Sequence, residues 1–264
     1  MHGSLVSGLR VQGFADDGVF LNCVEDWRVT HLVARDNEEY GIFPSHSFNG
    51  RVDHSFASGA NDTGLYIGQS SHSRMDHNLA TGNVSGYEIE NSIGIRADHN
   101  LSRGNTGGIL SFTLPFPDAK VNRDNVIDHN VVRNNNRSNT CLEPGDEVCQ
   151  VPPGTGVLLM AVDGNRVLDN RVTGNGSFGI AVANICVAQG LSAQECAAVS
   201  QDIQPDPDHN RAVQNVVTGN GLDPDPSLPP VFAVDLAWDG TGTGNCWSHN
   251  VSETQVPDQL PARR

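Results

Sequence analysis

Glycine-headed apolar segments recur along this chain at a nearly fixed step. Gly41-Ile-Phe-Pro, Gly64-Leu-Tyr-Ile, Gly86-Tyr-Glu-Ile and Gly108-Ile-Leu-Ser follow one another at intervals of 23, 22 and 22 residues. A second line, Arg51-Val-Asp-His, Arg74-Met-Asp-His and Arg96-Ala-Asp-His, keeps the same step, with intervals of 23 and 22. Two phases sharing one period mark a solenoid, and short alternating segments separated by Gly and Asn make its rungs β-strands. Later rungs continue the pattern with insertions: Ile127-Asp-His-Asn, Leu168-Asp-Asn and Val213-Gln-Asn in one line, Gly156-Val-Leu-Leu, Gly179-Ile-Ala-Val and Phe232-Ala-Val-Asp in the other. About eight or nine rungs result, the last at Asn245-Cys-Trp-Ser-His-Asn, in one domain over residues 1–264. Residues 187–200 are the one stretch that suits a short helix.

Strand alternation assigns the faces. Ile42, Leu65, Tyr87, Ile109, Val157, Ile180 and Phe232 form one inner column, and Pro44, Ile67, Ile89, Leu159, Val182 and Val234 a second. Leu79, Leu101, Val131, Val172 and Val217 are placed in a third. Asn78, Asn100 and Asn130, and separately Asn83, Asn105, Asn175 and Asn220, fall at corners, where stacked amides bond from rung to rung and tolerate left-handed backbone. The Asp-His pairs at 53–54, 76–77, 98–99 and 128–129 recur with the period. They therefore read as a corner device rather than as a local active site.

Composition narrows the class. The net charge is −15, and Lys120 is the single lysine among 16 basic residues. Such a surface repels phosphate backbones, so nucleic acid is set aside as a partner. A polyuronate, itself anionic, would need a local arginine cluster or a bridging cation such as Ca²⁺, for which Asp and Glu oxygens are suitable ligands. Cys141 and Cys149 bracket one short insertion and Cys186 and Cys196 another, which predicts two local disulfides and an oxidising compartment. Cys23 and Cys246 lie near opposite ends and are not expected to pair. No run of 18 apolar residues exists, so no membrane span is expected. The chain opens directly in repeat-like sequence without an apolar leader, so an N-terminal cap and an export signal are expected to be missing from it. A monomer is expected.

Function is best sought where rungs depart from consensus. On the outward side of the glycine-headed strand most positions are apolar or small, but Tyr66, Glu88 and Glu90 cluster on adjacent rungs. Glu88 and Glu90 face the same way at roughly 7 Å, close enough for one carboxyl to be raised or for both to ligate Ca²⁺. A solvated acidic face is the plainer alternative; the flanking Phe43, Leu110 and Phe112 favour a covered groove instead. Gln69 and Asn91 end the same strands and join Phe43 and Phe112 as candidate substrate contacts. Insertions at 113–124, 137–153, 184–208 and 222–230 flank this strand and are expected to wall the groove. Asp206, Asp208, Asp223 and Asp225 are further candidate Ca²⁺ ligands, equally explained as Asp-Pro turns.

The repeated unit V-x-D-H-N-x-A/V-x-x-N-x-x-G-I resembles the right-handed parallel β-helix repeats of the pectin-lyase-like superfamily along essentially the whole chain. Glu39-Tyr-Gly-Ile-Phe-Pro, Asn61-Asp-Thr-Gly-Leu-Tyr-Ile-Gly-Gln-Ser and Gly86-Tyr-Glu-Ile-Glu-Asn-Ser look like a subgroup of bacterial exported β-helix proteins. The run Tyr40-Gly-Ile-Phe-Pro-Ser-His46 is similar to the Tyr-Gly-Phe-Asp-Pro-His motif of mannuronan C5-epimerases. That similarity implies catalytic roles for Tyr40, for Asp62 on the next rung and for His46. It departs where the motif's Asp is Phe43 and its His position is Ser45, and a one-residue shift on a strand turns a side chain to the other face.

The expectation is an all-β, right-handed parallel β-helix, secreted, periplasmic or in the cell envelope. It would bind and modify an acidic polysaccharide by lyase, epimerase or hydrolase chemistry, with Tyr66, Glu88 and Glu90 in acid/base or cation-binding roles. The rival is a non-catalytic glycan-binding or envelope accessory protein. A resemblance to the β-helix partners of copper enzymes gains little, because three methionines and no Cys/His cluster suit soft metals poorly.

Overall fold

The computed structural model describes residues 3–262. Three parallel sheets of nine strands each run the length of the molecule. Each rung contributes one strand to each sheet, giving nine rungs of a right-handed parallel β-helix. The first sheet holds strands such as Arg51–Asp53, the second strands such as Phe56–Ser58, and the third the longer strands such as Thr63–Gly68 and Ser85–Glu90. Most strands of the first two sheets are three residues long because the chain must turn a corner and return to register within about 22 residues. The corners use left-handed backbone: His54, His77, His99 and His129 all have φ near 50°.

The core is a stack of aliphatic columns. Ile42, Leu65, Tyr87, Ile109, Val157 and Ile180 are fully buried in one, as the alternation predicts. Its eighth rung differs from expectation. Phe232 and Val234 belong to the 222–235 insertion, where Pro230–Phe232 forms a 3₁₀ turn. The strand begins only at Leu236, which pairs with Ile180, while Trp238 pairs with Val182. The third column is also corrected. Leu79, Leu101 and Val131 pair with one another but are only half-buried on the outside. The inner positions are one residue on: Ala80, Ser102 and Val132, in register with Val172 and Val217. Aliphatic residues occupy both faces of these strands, so hydropathy alone did not fix the phase.

Asparagine ladders hold the corners. Asn78, Asn100, Asn130, Asn170 and Asn215 pass amide hydrogen bonds of 3.0–3.1 Å from each rung to the next, ending on Asn250. Asn83, Asn105, Asn135, Asn175 and Asn220 do the same and finish on Asp235. Each side-chain oxygen also accepts the backbone N–H of the preceding rung, as from Asn78 to Asn100. Buried corner groups are thereby satisfied without water.

The Asp-His pairs are structural as well. Asp53, Asp76 and Asp98 are fully buried between successive arginines; Arg51 donates to Asp76 at 2.7 and 2.6 Å. Burial pushes these carboxyls up, but bonds from arginine and histidine outweigh it and hold them below the usual range. The His54, His77, His99 and His129 rings stack 5.1 Å apart along the edge.

Both expected disulfides are present, Cys141–Cys149 and Cys186–Cys196, with Cys23 and Cys246 outside them. The expected short helix is two, Ile185–Ala188 and Ala193–Val199, the second started by a Ser192/Glu195 capping box. Among the described residues no helix is long and apolar enough to cross a membrane.

Candidate active site

The outer face of the third sheet changes character along the helix. Phe20, Phe43, Tyr66, Glu88, Leu110, Leu158, Ala181 and Ala237 occupy one outward column on successive rungs. Ser45, Gly68, Glu90, Phe112, Met160 and Ala183 occupy the next. A Cβ at Gly68 would overlap the Tyr66 ring. The missing side chain lets Tyr66 lie along its own strand and donate its hydroxyl to Glu90 Oε2 at 2.7 Å.

These groups border a cavity of about 560 Å³. Its floor carries Asp62, Glu88 and Glu90; one wall is apolar, with Leu110, Phe112, Leu114, Leu158 and Met160. The roof comes from residues 142–152, between the second and third strands of the sixth rung, together with Ala188 and Gln189 from the insertion after the seventh. These two insertions stand on opposite banks of the third sheet. Gln189 donates to Glu147 across the gap, and each bank is closed by one of the two disulfides.

Burial dominates the electrostatics. Glu88, only 4% exposed, is pushed well above the usual carboxylate range by burial and then by the charge of Asp62, with the Ser85 and Thr63 hydroxyls pulling it back. Glu90 is pushed up to about 7, chiefly by burial, with the Tyr66 hydrogen bond opposing and Asp62 and Glu147 adding repulsion. Asp62 reaches about 6 by burial, although Thr63, which donates at 2.9 Å, and Tyr40 stabilise its charge. The phenols of Tyr40 and Tyr66 are driven well above their ordinary value by burial and neighbouring carboxylates, so both are hydrogen-bond donors at neutral pH. Among the described residues eight carboxylates line the cavity, and no Lys, Arg or His does.

The structure thus brings together Tyr40, Asp62, Tyr66, Glu88, Glu90 and Phe112. Phe43 stacks on Tyr40 at 4.2 Å and meets Tyr66 edge-on, just outside the cavity. Gln69 and Asn91 are spent on holding the 113–124 insertion: Gln69 accepts from the Asp118 N–H, and Asn91 donates to the Leu114 and Ala119 carbonyls. His46 does not reach the site. It occupies a left-handed corner at φ 50°, exposed, with Nδ1 against the Ser45 hydroxyl. The extra residue relative to the epimerase motif carries it past the strand end. Asp206, Asp208 and Asp225 accept from Asn184, Thr243 and Ser227, as turn residues do. Asp16, Asp17 and Glu39 bring oxygens within 4.8 Å of one another at the cavity mouth, where burial and mutual repulsion push Asp17 up to about 7.

Sequence reasoning missed Glu143, Asp146, Glu147 and Gln189. For the three acids the signal was present: the loop between Cys141 and Cys149 holds them within seven residues, too many for a plain spacer.

Residues 2–188 match the family described as right handed beta helix region. The chain belongs to that family. No curated protein matches the sequence significantly. Among solved structures it is similar to the periplasmic alginate epimerase AlgG, with a TM-score of 0.64 and 17% identity over 89% of this chain and 47% of that one. The A-module of the Azotobacter vinelandii mannuronan C-5 epimerase AlgE4 gives 0.54 and 12% over 98% and 80%. DFA-IIIase from Arthrobacter chlorophenolicus A6, in complex with GF2, gives 0.52 and 12% over 97% and 57%. These likenesses establish the shared fold. This chain spans about half the length of the AlgG structure.

Proposed function

We propose that this chain is an extracytoplasmic carbohydrate-active protein that hydrolyses a glycosidic bond of a neutral glycan in the cavity on its third sheet. The observation that carries this reading is the pair Glu90 and Asp62, half-buried on adjacent rungs around one cavity and held at about 7 and about 6. A carboxyl still partly protonated at neutral pH beside a more acidic one is the division of labour glycoside cleavage needs. Glu90 is the general acid that protonates the leaving oxygen. Asp62 is the partner carboxylate, and Glu88, which burial and the charge of Asp62 push well above the usual range, stays protonated and leaves the negative charge on Asp62. The carbohydrate-active neighbours and the two disulfides support a carbohydrate substrate and the compartment.

Lyase and epimerase chemistry fits less well. Both abstract a proton beside a uronate carboxylate, whose charge must be neutralised. Among the described residues the cavity is lined by eight carboxylates and no basic side chain, which opposes that charge, and phenols driven above their usual range stay protonated and are not available as bases. This reading takes a neutral glycan in place of the acidic polysaccharide expected from sequence.

The test is a panel of neutral and uronate oligosaccharides assayed for new reducing ends and for unsaturated products. Release from a neutral glycan that disappears in Glu90→Gln, at unchanged melting behaviour at pH 5, supports the reading. Unsaturated product overturns it in favour of a lyase, and retention without release overturns it in favour of a binding module.

A further inference from the structure

The groove that leads to the cavity is aromatic toward the first rung and covered toward the seventh. On the first three rungs the outer face of the third sheet is aromatic. Phe20 meets Phe43 at 4.9 Å, Phe43 stacks on Tyr40 at 4.2 Å, and Tyr40 and Phe43 both abut Tyr66 at 5.2 and 4.7 Å. The rings descend from solvent into the site: Phe20 is 53% exposed, Phe43 half-buried and Tyr66 only 4% exposed. Beyond Glu90 the same face forms the apolar end wall of the cavity. Leu110, Phe112 and Met160 are covered by Ile185, Cys186 and Ile203 of the insertion after the seventh rung. Above them the Glu147–Gln189 hydrogen bond joins the two banks and roofs the cavity.

We infer that the protein acts on the end of a linear neutral glycan, whose terminal unit enters the cavity while the following units lie on the ramp formed by Phe43 and Phe20. The inference rests on the hydrolase reading and adds the direction of binding and a subsite at Phe20. Sugar rings present apolar C–H faces that suit aromatic platforms, and Phe20 continues the line of rings that leaves the cavity over Phe43. Rungs repeat at roughly 4.8 Å, so an extended chain leaving the cavity along the helix axis runs over Phe43 first and Phe20 next. The closed end leaves no room for units on the far side of the terminal one, so internal bonds are out of reach.

The experiment digests a soluble neutral polymer and a matched series of oligosaccharides labelled at one end, using the full chain. A chain-end mode gives one small product from the first time point, with little fall in polymer viscosity. Phe20→Ala then raises KM by a factor that grows with oligosaccharide length, reaching about five-fold for the longest. Phe20→Leu, which keeps an apolar side chain on the first rung, gives the same length dependence and guards against a folding artefact. An early spread of product sizes with a rapid viscosity drop overturns the chain-end mode and leaves the hydrolase reading standing. A KM increase in Phe20→Ala that is equal at all lengths overturns the ramp. No release from any glycan overturns the hydrolase reading and this inference with it.

Discussion

Tyr66 on the third rung donates its hydroxyl to Glu90 on the fourth, and it reaches there because Gly68 leaves the space beside its ring empty. The bond stabilises the charged carboxylate and so works against the burial that raises Glu90 to about 7. Tyr66→Phe removes the donor, and Glu90 rises further. The alkaline limb of the pH–rate profile, which reports loss of the general acid's proton, therefore moves to higher pH. Gly68→Ala is the companion variant: it displaces the ring, moves the limb in the same direction and lowers turnover. A limb that stays in place in Tyr66→Phe separates this tyrosine from the acid.

The site carboxylates make stability depend on pH in the reverse of the usual sense. Glu90 sits at about 7 in the fold against a reference of 4.5, so between these values the folded state holds the extra proton. Stability then falls as pH rises through that window, and the loss is complete above about 7. Asp53, Asp76 and Asp98, held below their usual range, act oppositely and lose their contribution as pH falls below the unfolded carboxylate range. The melting temperature is expected to peak near pH 5 and decline toward pH 8. Glu90→Gln removes one raised carboxyl, so it stabilises at pH 8 by on the order of 2 kcal/mol and changes little at pH 4. Thermal melts at the two pH values decide the sign.

The ladder asparagines carry more stability than their polarity suggests. Asn100 accepts from the Asn78 N–H and side-chain amide and donates to the Met75 carbonyl and Asn130. Asn100→Ala leaves several buried groups unpaired at 2% exposure, a cost of about 2–4 kcal/mol. Asn136, exposed beyond the end of the strand Val131–Arg133, makes fewer such bonds and serves as the reference; Asn136→Ala costs about 1 kcal/mol. Urea unfolding of the two variants measures the difference.

Sequence periodicity was enough for the rungs because each rung must repeat the same few solutions: an aliphatic pair inward, an amide at the corner, a left-handed residue after the strand. It failed where two residues could satisfy the same role. Leu79 and Ala80 are both apolar, and only packing area decides that the smaller one faces the crowded interior. Phe232 looked like a strand residue, yet the Pro229-Pro230 pair before it holds the chain in a turn until Leu236. The floor of the site, Tyr66, Glu88 and Glu90, was legible as a break in the repeat. Its roof was not, because Glu147 and Gln189 lie on different insertions 42 residues apart, with no period to place one over the other.

That roof depends on the disulfides more than the solenoid does. Cys141–Cys149 closes a loop that supplies most of the roof, whose only regular structure is one 3₁₀ turn at Glu147–Gln150 and which buries no residue of that turn. Nothing in the nine-rung core packs through it. Cys141→Ser/Cys149→Ser is therefore expected to leave the main melting transition within a few degrees of the parent and to reduce turnover at least ten-fold, because Glu147 and its bond to Gln189 lose their fixed position. Mild reduction by a dithiol should reproduce the effect and reoxidation reverse it. Gln189→Ala, which cuts the same link while keeping both disulfides, should give a smaller loss in the same direction. A double-cysteine variant with full turnover would mean that the floor alone holds the substrate and that the roof is only a cover.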